Sequence, residues 1–479
     1  MLNQKTLKRN SKTKIRSFLD EHFLLQSSTA ERLYYEFAKN QPIIDYHNHL
    51  DAATIAANKR TENIAELWLL GDPYKHRAMR LAGVPEILIT GKTSPKEKFL
   101  HWAAVVPKTI GNPLFHWSCL ELKYCFGINE ILNASNAESI WQECNTIIRN
   151  TRRGDLDWLR FWNVESLCTS DEPLNSLASH QFVSKTGLRI LPSFRGDALF
   201  LTDIRNGWYD HVYPVRTLDD YCNVIIDRID AFDNAGCRLA DHSLDNGFRF
   251  VSSGKEDAKR IFTQFKQGRM LQEDEIVLRS FLLRFVCNEY KKRNWTLQLH
   301  IGALRCTSDR LRRLSGFAGG YACMGNSVDM VSLCRLFNTL EGEDQLPNII
   351  LYTLNPSDNA VLSTLCGSFT EDGTAGKIRF GPAWWYNDFD DAIRRHLSDL
   401  AGYSLLSNFT GMTTDSRNVL SFSRHDYFRR ILCDWFGERI ERGEIPDDDE
   451  LLAPLLESLC VGNARALLKN INIDDTPHT

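Results

Sequence analysis

The stretch PIIDYHNHL, residues 42–50, decides how the rest of the chain is read. Its apolar start, Pro42-Ile43-Ile44 followed by Asp45, predicts a short β-strand that leads into His47 and His49. Histidines at positions i and i+2 of a strand end project from the same face. A second run of this kind, LLSNFTGMTTDSR at 405–417, leads into Asp415 and Arg417 near the other end of the chain. Two imidazoles from one strand end and a carboxylate from another can close around a divalent ion. That arrangement asks for a barrel enzyme in which the first and last strands meet.

Between these two stretches the same pattern recurs without any repeat of sequence. Val164–Thr169 leads to Asp171, Leu188–Pro192 to Arg195 and Asp197, and Cys237–Ala240 to Asp241 and His242. Thr296–Leu299 leads to His300, Ile349–Tyr352 to Asn355, and Lys377–Phe380 to Trp384, Trp385 and Asp388. With Asn408–Met412 before Asp415 the count of runs reaches eight. Polar residues gathered after the strands match the catalytic face of a barrel. The expected fold is therefore α/β, a (β/α)8 TIM-type barrel.

About 120 residues separate the first two runs, far more than one crossover helix needs. Within them ENIAELWLLG, KHRAMRLAG, KEKFLHWAAVV, WSCLELKYCF and AESIWQECNTIIRN all read as helices. A helical insertion over about 51–160 is expected beside or over the barrel mouth. Residues 253–293 also read as helical. Ser423-Arg424-His425-Asp426 offers a capping-box-like start for a C-terminal helical extension striped by Phe428, Ile431, Leu432, Trp435 and Phe436. The charged GERIERGEIPDDDE is expected to be a surface connection. No Pro/Gly/Ser-rich linker divides the chain. We expect residues 1–40 to form a tail and leading helix, and 41–479 a single elaborated barrel domain.

Bulk composition narrows the function classes. The 479 residues are 43% hydrophobic and 25% charged, with a net charge of −4, which gives no electrostatic reason for nucleic-acid binding. The 13 cysteines contain no CxxC, so reduced thiols in a cytoplasmic protein are expected, not a disulfide framework. The basic start, MLNQKTLKRNSKTKIR, has no apolar core of a signal peptide and reads as a solvated tail, and no apolar run is long enough to span a membrane.

Two neutral imidazoles and a carboxylate, His47, His49 and Asp415, suit a divalent ion, zinc first, and leave positions open for substrate oxygens. His300 is a further ligand or a donor to substrate. Arg195 and Arg417 have the planar fork that grips a carboxylate, although Asp197 and Asp415 are competing ion-pair partners. Tyr74-Lys75-His76-Arg77 in the insertion reads mostly as a helix surface, with Tyr74 within reach of the mouth. Trp384 and Trp385 are expected to wall the pocket with their ring faces or to pack in the core.

These stretches, with ELWLLGDPYKHRAMRLAGVPE, GNPLFHWSCLEL, PSFRGD, LADHSLD, LQLHIGALR, ILYTLNPSDN, FGPAWWYND and GMTTDSRNVLSFSRHDYFRRILC, resemble the uronate isomerases of the amidohydrolase superfamily. The resemblance runs from about residue 40 to the C-terminal helix. It departs at Pro73-Tyr74-Lys75-His76, where the family tends to His-Tyr-Lys-Trp, and at Gly319–Gly325. It implies interconversion of an aldouronate and a ketouronate, such as D-glucuronate with D-fructuronate or D-galacturonate with D-tagaturonate. The proton would move from C2 to C1 through an enediol. Asp415 would be the base, with Arg417, Tyr74 and His300 as catalytic partners. Arg195, Asp241, Asn355, Trp384 and Trp385 would contact substrate, and His47, His49 and Asp415 would hold the metal. A homo-oligomer is expected from common practice among soluble enzymes. The competing readings are a metal-dependent hydrolase of the same superfamily and a non-catalytic sugar-acid binder. A hydrolase usually carries histidines after both the fifth and sixth strands, and here the sixth leads to Asn355.

Overall fold

The computed structural model describes residues 16–183, 186–200, 213–317 and 319–469. The basic stretch before residue 16, expected to be a solvated tail, lies almost wholly outside them. Seven parallel strands follow one another round a curled sheet: β1 (Ile43–Asn48), β2 (Val164–Asp171), β3 (Arg189–Arg195), β4 (Leu239–Leu244), β5 (Thr296–Ile301), β6 (Asn348–Thr353) and β7 (Ile378–Phe380). Each pairs with the next in sequence, the order that successive strand–helix units produce in a barrel. Several strands run further than their apolar cores suggest, so His47, Asp171, Arg195, Asp241 and His300 sit within ladders. The register places Arg195 beside Asp241, and His300 between Ser243 and Tyr352.

The eighth run is not a ladder strand. Leu406–Asn408 is a turn of 3-10 helix, and the chain beyond it runs beside β1 with two backbone bonds. Asp415 N–H donates to His47 O (3.0 Å) and His49 N–H to Ser416 O (2.8 Å). Gly411 and Asp415 have φ of +78° and +48°, which breaks the extended conformation a ladder needs. A Cβ on Gly411 would stand 2.3 Å from Leu459 O, so glycine is required there on both counts. The barrel therefore has seven regular staves and one irregular one.

Inside the barrel Ile44, Tyr46, Cys168, Leu191, Leu239, Ile350 and Tyr352 form one buried cluster, joined by Val461, Ala464 and Leu468 from the C-terminal segment. A larger cluster lies between the sheet and its helices. The insertion between β1 and β2 is helical as expected: Ile64–Trp68, Pro73–Leu81, Pro95–Val105, Pro113–Phe126 and Ala137–Thr151, followed by Asp155–Phe161. Local chemistry sets its boundaries. Asp72 caps the second helix with Pro73 in its first turn. Ser94 and Glu97 form a reciprocal capping box at the third. Gly127, at φ +72°, ends the fourth. Lys255–Lys266 and Asp274–Lys292 account for the helical reading of 253–293. The C-terminal helix Ser423–Glu441 is present, but Phe422 holds its cap position and no side chain caps it. The capping-box expectation at Ser423 is corrected accordingly: the Arg424 and His425 side chains there are buried.

Candidate active site

A cavity of about 490 Å³ opens where the strands end. His47, His49, Tyr74, Arg195, Asp241, His300, Trp384, Trp385, Asp415 and Arg417 all line it, so nearly every residue singled out from sequence converges there. Asn355 is not among the lining residues. Its Oδ1 caps Ser357 N–H at 3.1 Å, and its amide lies 3.5 Å from Gly325 O and from Ser327 Oγ.

The centre of the site is Asp415. Its Oδ1 lies 2.9 Å from His49 Nε2 and 3.7 Å from His47 Nε2. Its Oδ2 accepts from the indole N–H groups of Trp384 (3.0 Å) and Trp385 (2.6 Å). The tryptophans thus wall the pocket and also hold the carboxylate, a role their ring faces alone did not announce. Burial opposes ionisation of Asp415. The hydrogen bond from His49, helped by the electrostatic pull of the surrounding His49, His47 and His300 imidazoles, outweighs it and keeps the carboxyl below its usual range.

The imidazoles respond in the opposite sense. Burial depresses His47 to about 4 against the pull of Asp415, and also lowers His49 and His300. All three are neutral at neutral pH, the state in which imidazole binds metals. His300 stacks on Tyr352 at 4.6 Å and lies 4.7 Å from the His47 ring, with its buried Nε2 lacking a hydrogen-bond partner.

This donor set fits a divalent cation. The ligand atoms of His47, His49 and Asp415 lie within 4.8 Å of one another, as do those of His47, Asp241 and His300. Ligands about 2.0–2.2 Å from a tetrahedral zinc stand roughly 3.3–3.6 Å apart, and the 2.9 and 3.7 Å separations to Asp415 bracket that range.

Around this core the charges alternate. Arg195 Nε lies 3.5 Å from Glu172 and 3.6 Å from Asp197, so the anticipated competition with Asp197 is present. Burial pushes the Asp241 carboxyl up to about 8, partly countered by Arg195, while Ser170 Oγ donates to it at 3.2 Å. Arg305 was not singled out from sequence, since it follows its strand by several residues. It donates to Asp245 (3.0 Å) and Ser243 Oγ (2.8 Å) and lies 5.2 Å from the Trp385 ring centre. Arg417 is exposed at the rim. His242, in contrast, points away from the cavity. It bonds Tyr290 Oη at 2.7 Å, and a Cβ on Gly196 would meet its ring at 1.9 Å.

Tyr74 comes from the insertion, at the start of the helix Pro73–Leu81. Its ring meets Trp117 edge-on at 6.1 Å, and burial raises its hydroxyl well above the ordinary tyrosine value.

Comparison with known proteins identifies the family. Residues 15–468 match the family described as glucuronate isomerase. A uronate isomerase of Bacillus pumilus is 42% identical over 463 residues, covering 94% of this chain and 96% of the relative. One from Haemophilus influenzae is 40% identical over 468 residues, covering 95% and 100%. The crystal structure of uronate isomerase from Thermotoga maritima superposes with a TM-score of 0.87 at 33% identity, covering 95% of this chain and all of that one (100%). With the matched region spanning almost every described residue, the chain belongs to the glucuronate isomerase family.

Proposed function

We propose that the enzyme interconverts D-glucuronate with D-fructuronate, and D-galacturonate with D-tagaturonate. The observation that carries the reading is the Asp415 carboxylate held between two imidazoles and two indole donors in a cavity lined by arginines. In an aldose–ketose isomerisation a proton leaves C2 and its electron pair forms the C1=C2 bond of an enediol as O1 gains a proton. O2 then gives up its proton, C2 becomes the carbonyl and C1 takes a proton.

Asp415 is the group we assign to take the C2 proton and return it at C1. Arg417 and Tyr74 assist the two reacting oxygens, and His300 and Arg195 orient hydroxyls or the carboxylate of the substrate. Asp241, Trp384 and Trp385 line the same space and complete the substrate contacts; Asn355 is better placed to shape the loop behind it. A divalent ion, zinc in our reading, held by His47, His49 and Asp415, would supply Lewis acidity to O1 and O2. Stabilising the developing negative charge with such groups is worth on the order of a few kcal/mol each.

Proton NMR of the enzyme with each sugar, with and without Zn²⁺, tests the reading. Anomeric aldose signals should fade as ketose signals grow, faster with metal; unchanged spectra for both sugars in every condition would refute it. We also take the enzyme to be a cytoplasmic homo-oligomer. Thirteen free cysteines suit a reducing compartment, and exposed apolar side chains such as Ile110 and Leu405 give a subunit contact something to bury. Among the described residues no helix is long and apolar enough to cross a membrane. Sedimentation at several concentrations tests the assembly.

A further inference from the structure

The helix that brings Tyr74 to the cavity contains a lysine that is only 1% exposed, Lys75. Its Nζ lies 2.7 Å from Asp72 Oδ2 and 3.5 Å from Glu121 Oε2, and 5.0 Å from the Trp68 ring centre. Both carboxylates are buried too, at 6% and 2% exposure. Burying an ammonium between two carboxylates is costly unless the contacts are close and the remaining polar atoms are hydrogen-bonded, because desolvation offsets much of the attraction.

Each partner holds a different element. Asp72 Oδ1 accepts from the backbone N–H of Tyr74 (2.9 Å) and Lys75 (3.1 Å), which fixes the first turn of the helix. Asp72 Oδ2 also lies 3.5 Å from Asn418 Nδ2, one residue beyond Arg417 and three beyond Asp415. Asn418 Oδ1 in turn accepts from Leu420 and Ser421 N–H at 3.1 Å. Glu121 belongs to the helix Pro113–Phe126, accepts from the Trp68 indole, and shares that helix with Trp117, the ring that meets Tyr74. The ammonium therefore sits where the Tyr74 helix, its packing partner and the Asp415–Asn418 segment come together.

We propose that Lys75, through Asp72 and Glu121, is a positioning residue that sets Tyr74 in the cavity wall it shares with Asp415. This rests on the isomerase reading above and deepens it. Lys75 is not itself among the residues lining the cavity and acts through Tyr74 and the capped turn.

The test is a double-mutant cycle on the full enzyme with D-glucuronate, using Lys75→Met, Tyr74→Phe and both together. Lys75→Met should lower kcat by roughly tenfold with KM within about twofold, and should have less than about a twofold effect in the Tyr74→Phe background. Lys75→Arg should recover part of the loss. Equal losses in both backgrounds, or full activity of Lys75→Met, would overturn the proposal. If Lys75→Met does not fold, Glu121→Gln takes its place, since the amide still accepts from Trp68, and the same cycle decides. Hydrogen exchange gives a readout independent of turnover. The Tyr74 and Lys75 amides should exchange faster in either variant while β5 amides do not change; unchanged exchange at Tyr74 refutes the anchor. If the wild-type enzyme isomerises neither sugar, the functional reading fails, and the exchange data still decide whether Lys75 holds the turn.

Discussion

The seven ladder strands and the stretch Phe409–Asn418 do the same job by different means. β1–β7 hold His47, Arg195, Asp241 and His300 by repeated backbone hydrogen bonds, so each side chain's place follows from its register. The eighth stave makes two backbone bonds to β1 and is otherwise held by side chains. Asp45, fully buried, accepts from Thr413 Oγ1, from Thr414 Oγ1 and from Thr414 N–H. Arg424 pairs with Asp388 at 2.9 Å and also bonds the Thr414 carbonyl. A ladder offers only the two faces of a pleat, whereas this stretch turns Asp415 through φ +48° to meet His49 and two indoles. Regular strands give position, and the irregular one gives direction to the Asp415 carboxylate.

The largest way to probe the contrast is to change what the irregular stave presents. Asp415→Asn keeps the shape and removes the base; kcat should fall by about 10²–10⁴ with unfolding unchanged within about 1 kcal/mol. Near-normal turnover would remove Asp415 from the mechanism. Next comes its support. Arg424→Met leaves Asp388, 3% exposed, buried without its cation, and should cost about 3–5 kcal/mol in urea unfolding together with most of the activity. A loss of activity without loss of stability would show that the network tunes Asp415 and does not hold it.

Damage to a regular strand should behave differently. Leu299→Ala on β5 removes a fully buried side chain and should cost about 2–5 kcal/mol, yet the folded fraction should keep kcat within about threefold. A kcat as low as that of the Arg424 variant would erase the distinction between the two regions.

The last probe is one of pH, and it concerns His242 on β4 and His396 on the helix Asp390–Tyr403. Burial depresses His242 and His396 to about 4, against about 6.5 in an unfolded chain. Between these values the unfolded chain binds more protons than the native one. Their contribution is therefore complete above about pH 6.5 and is lost as the pH falls towards 4, by about 1.4 kcal/mol per unit for each group. Urea midpoints at pH 7, 5.5 and 4.5 should decline accordingly, and His396→Phe should lower the slope by that one group's share, with His47 and the other depressed imidazoles keeping the rest; an unchanged slope would put the acid sensitivity elsewhere.

The same contrast explains what could be read in the sequence. Ile43-Ile44 and Thr296–Leu299 announce ladder strands because apolar runs report burial on both faces of a parallel sheet. The residues after them fell into the site because strand ends share one rim. Asn408–Met412 carries the same apolar signal without a ladder, since hydrophobicity does not record that Gly411 must avoid Leu459 O or that Asp45 will satisfy Thr413 and Thr414. Asn355 shows the converse: it follows β6 as His300 follows the core of β5, yet its own Oδ1 turns back to cap Ser357. Arg305 carried no periodic signal, because its reach into the cavity depends on the path of a loop. The Trp384 and Trp385 bonds to Asp415 depend on ring orientation, which composition does not encode.

The site also has a direction in time. Thr413 and Asp45 are separated by 368 residues, and Tyr34 of the leading helix bonds Asp426 across 392. During synthesis the histidines of β1 emerge early and wait for almost the whole chain before a carboxylate can face them. Contacts so distant in sequence are the slow ones to form. A nascent chain halted before residue 409 would hold all seven ladder strands and would still lack Asp415 and the irregular stave beside β1. The cluster of His47, His49 and Asp415 is thus complete only when residues 409–418 have returned to β1.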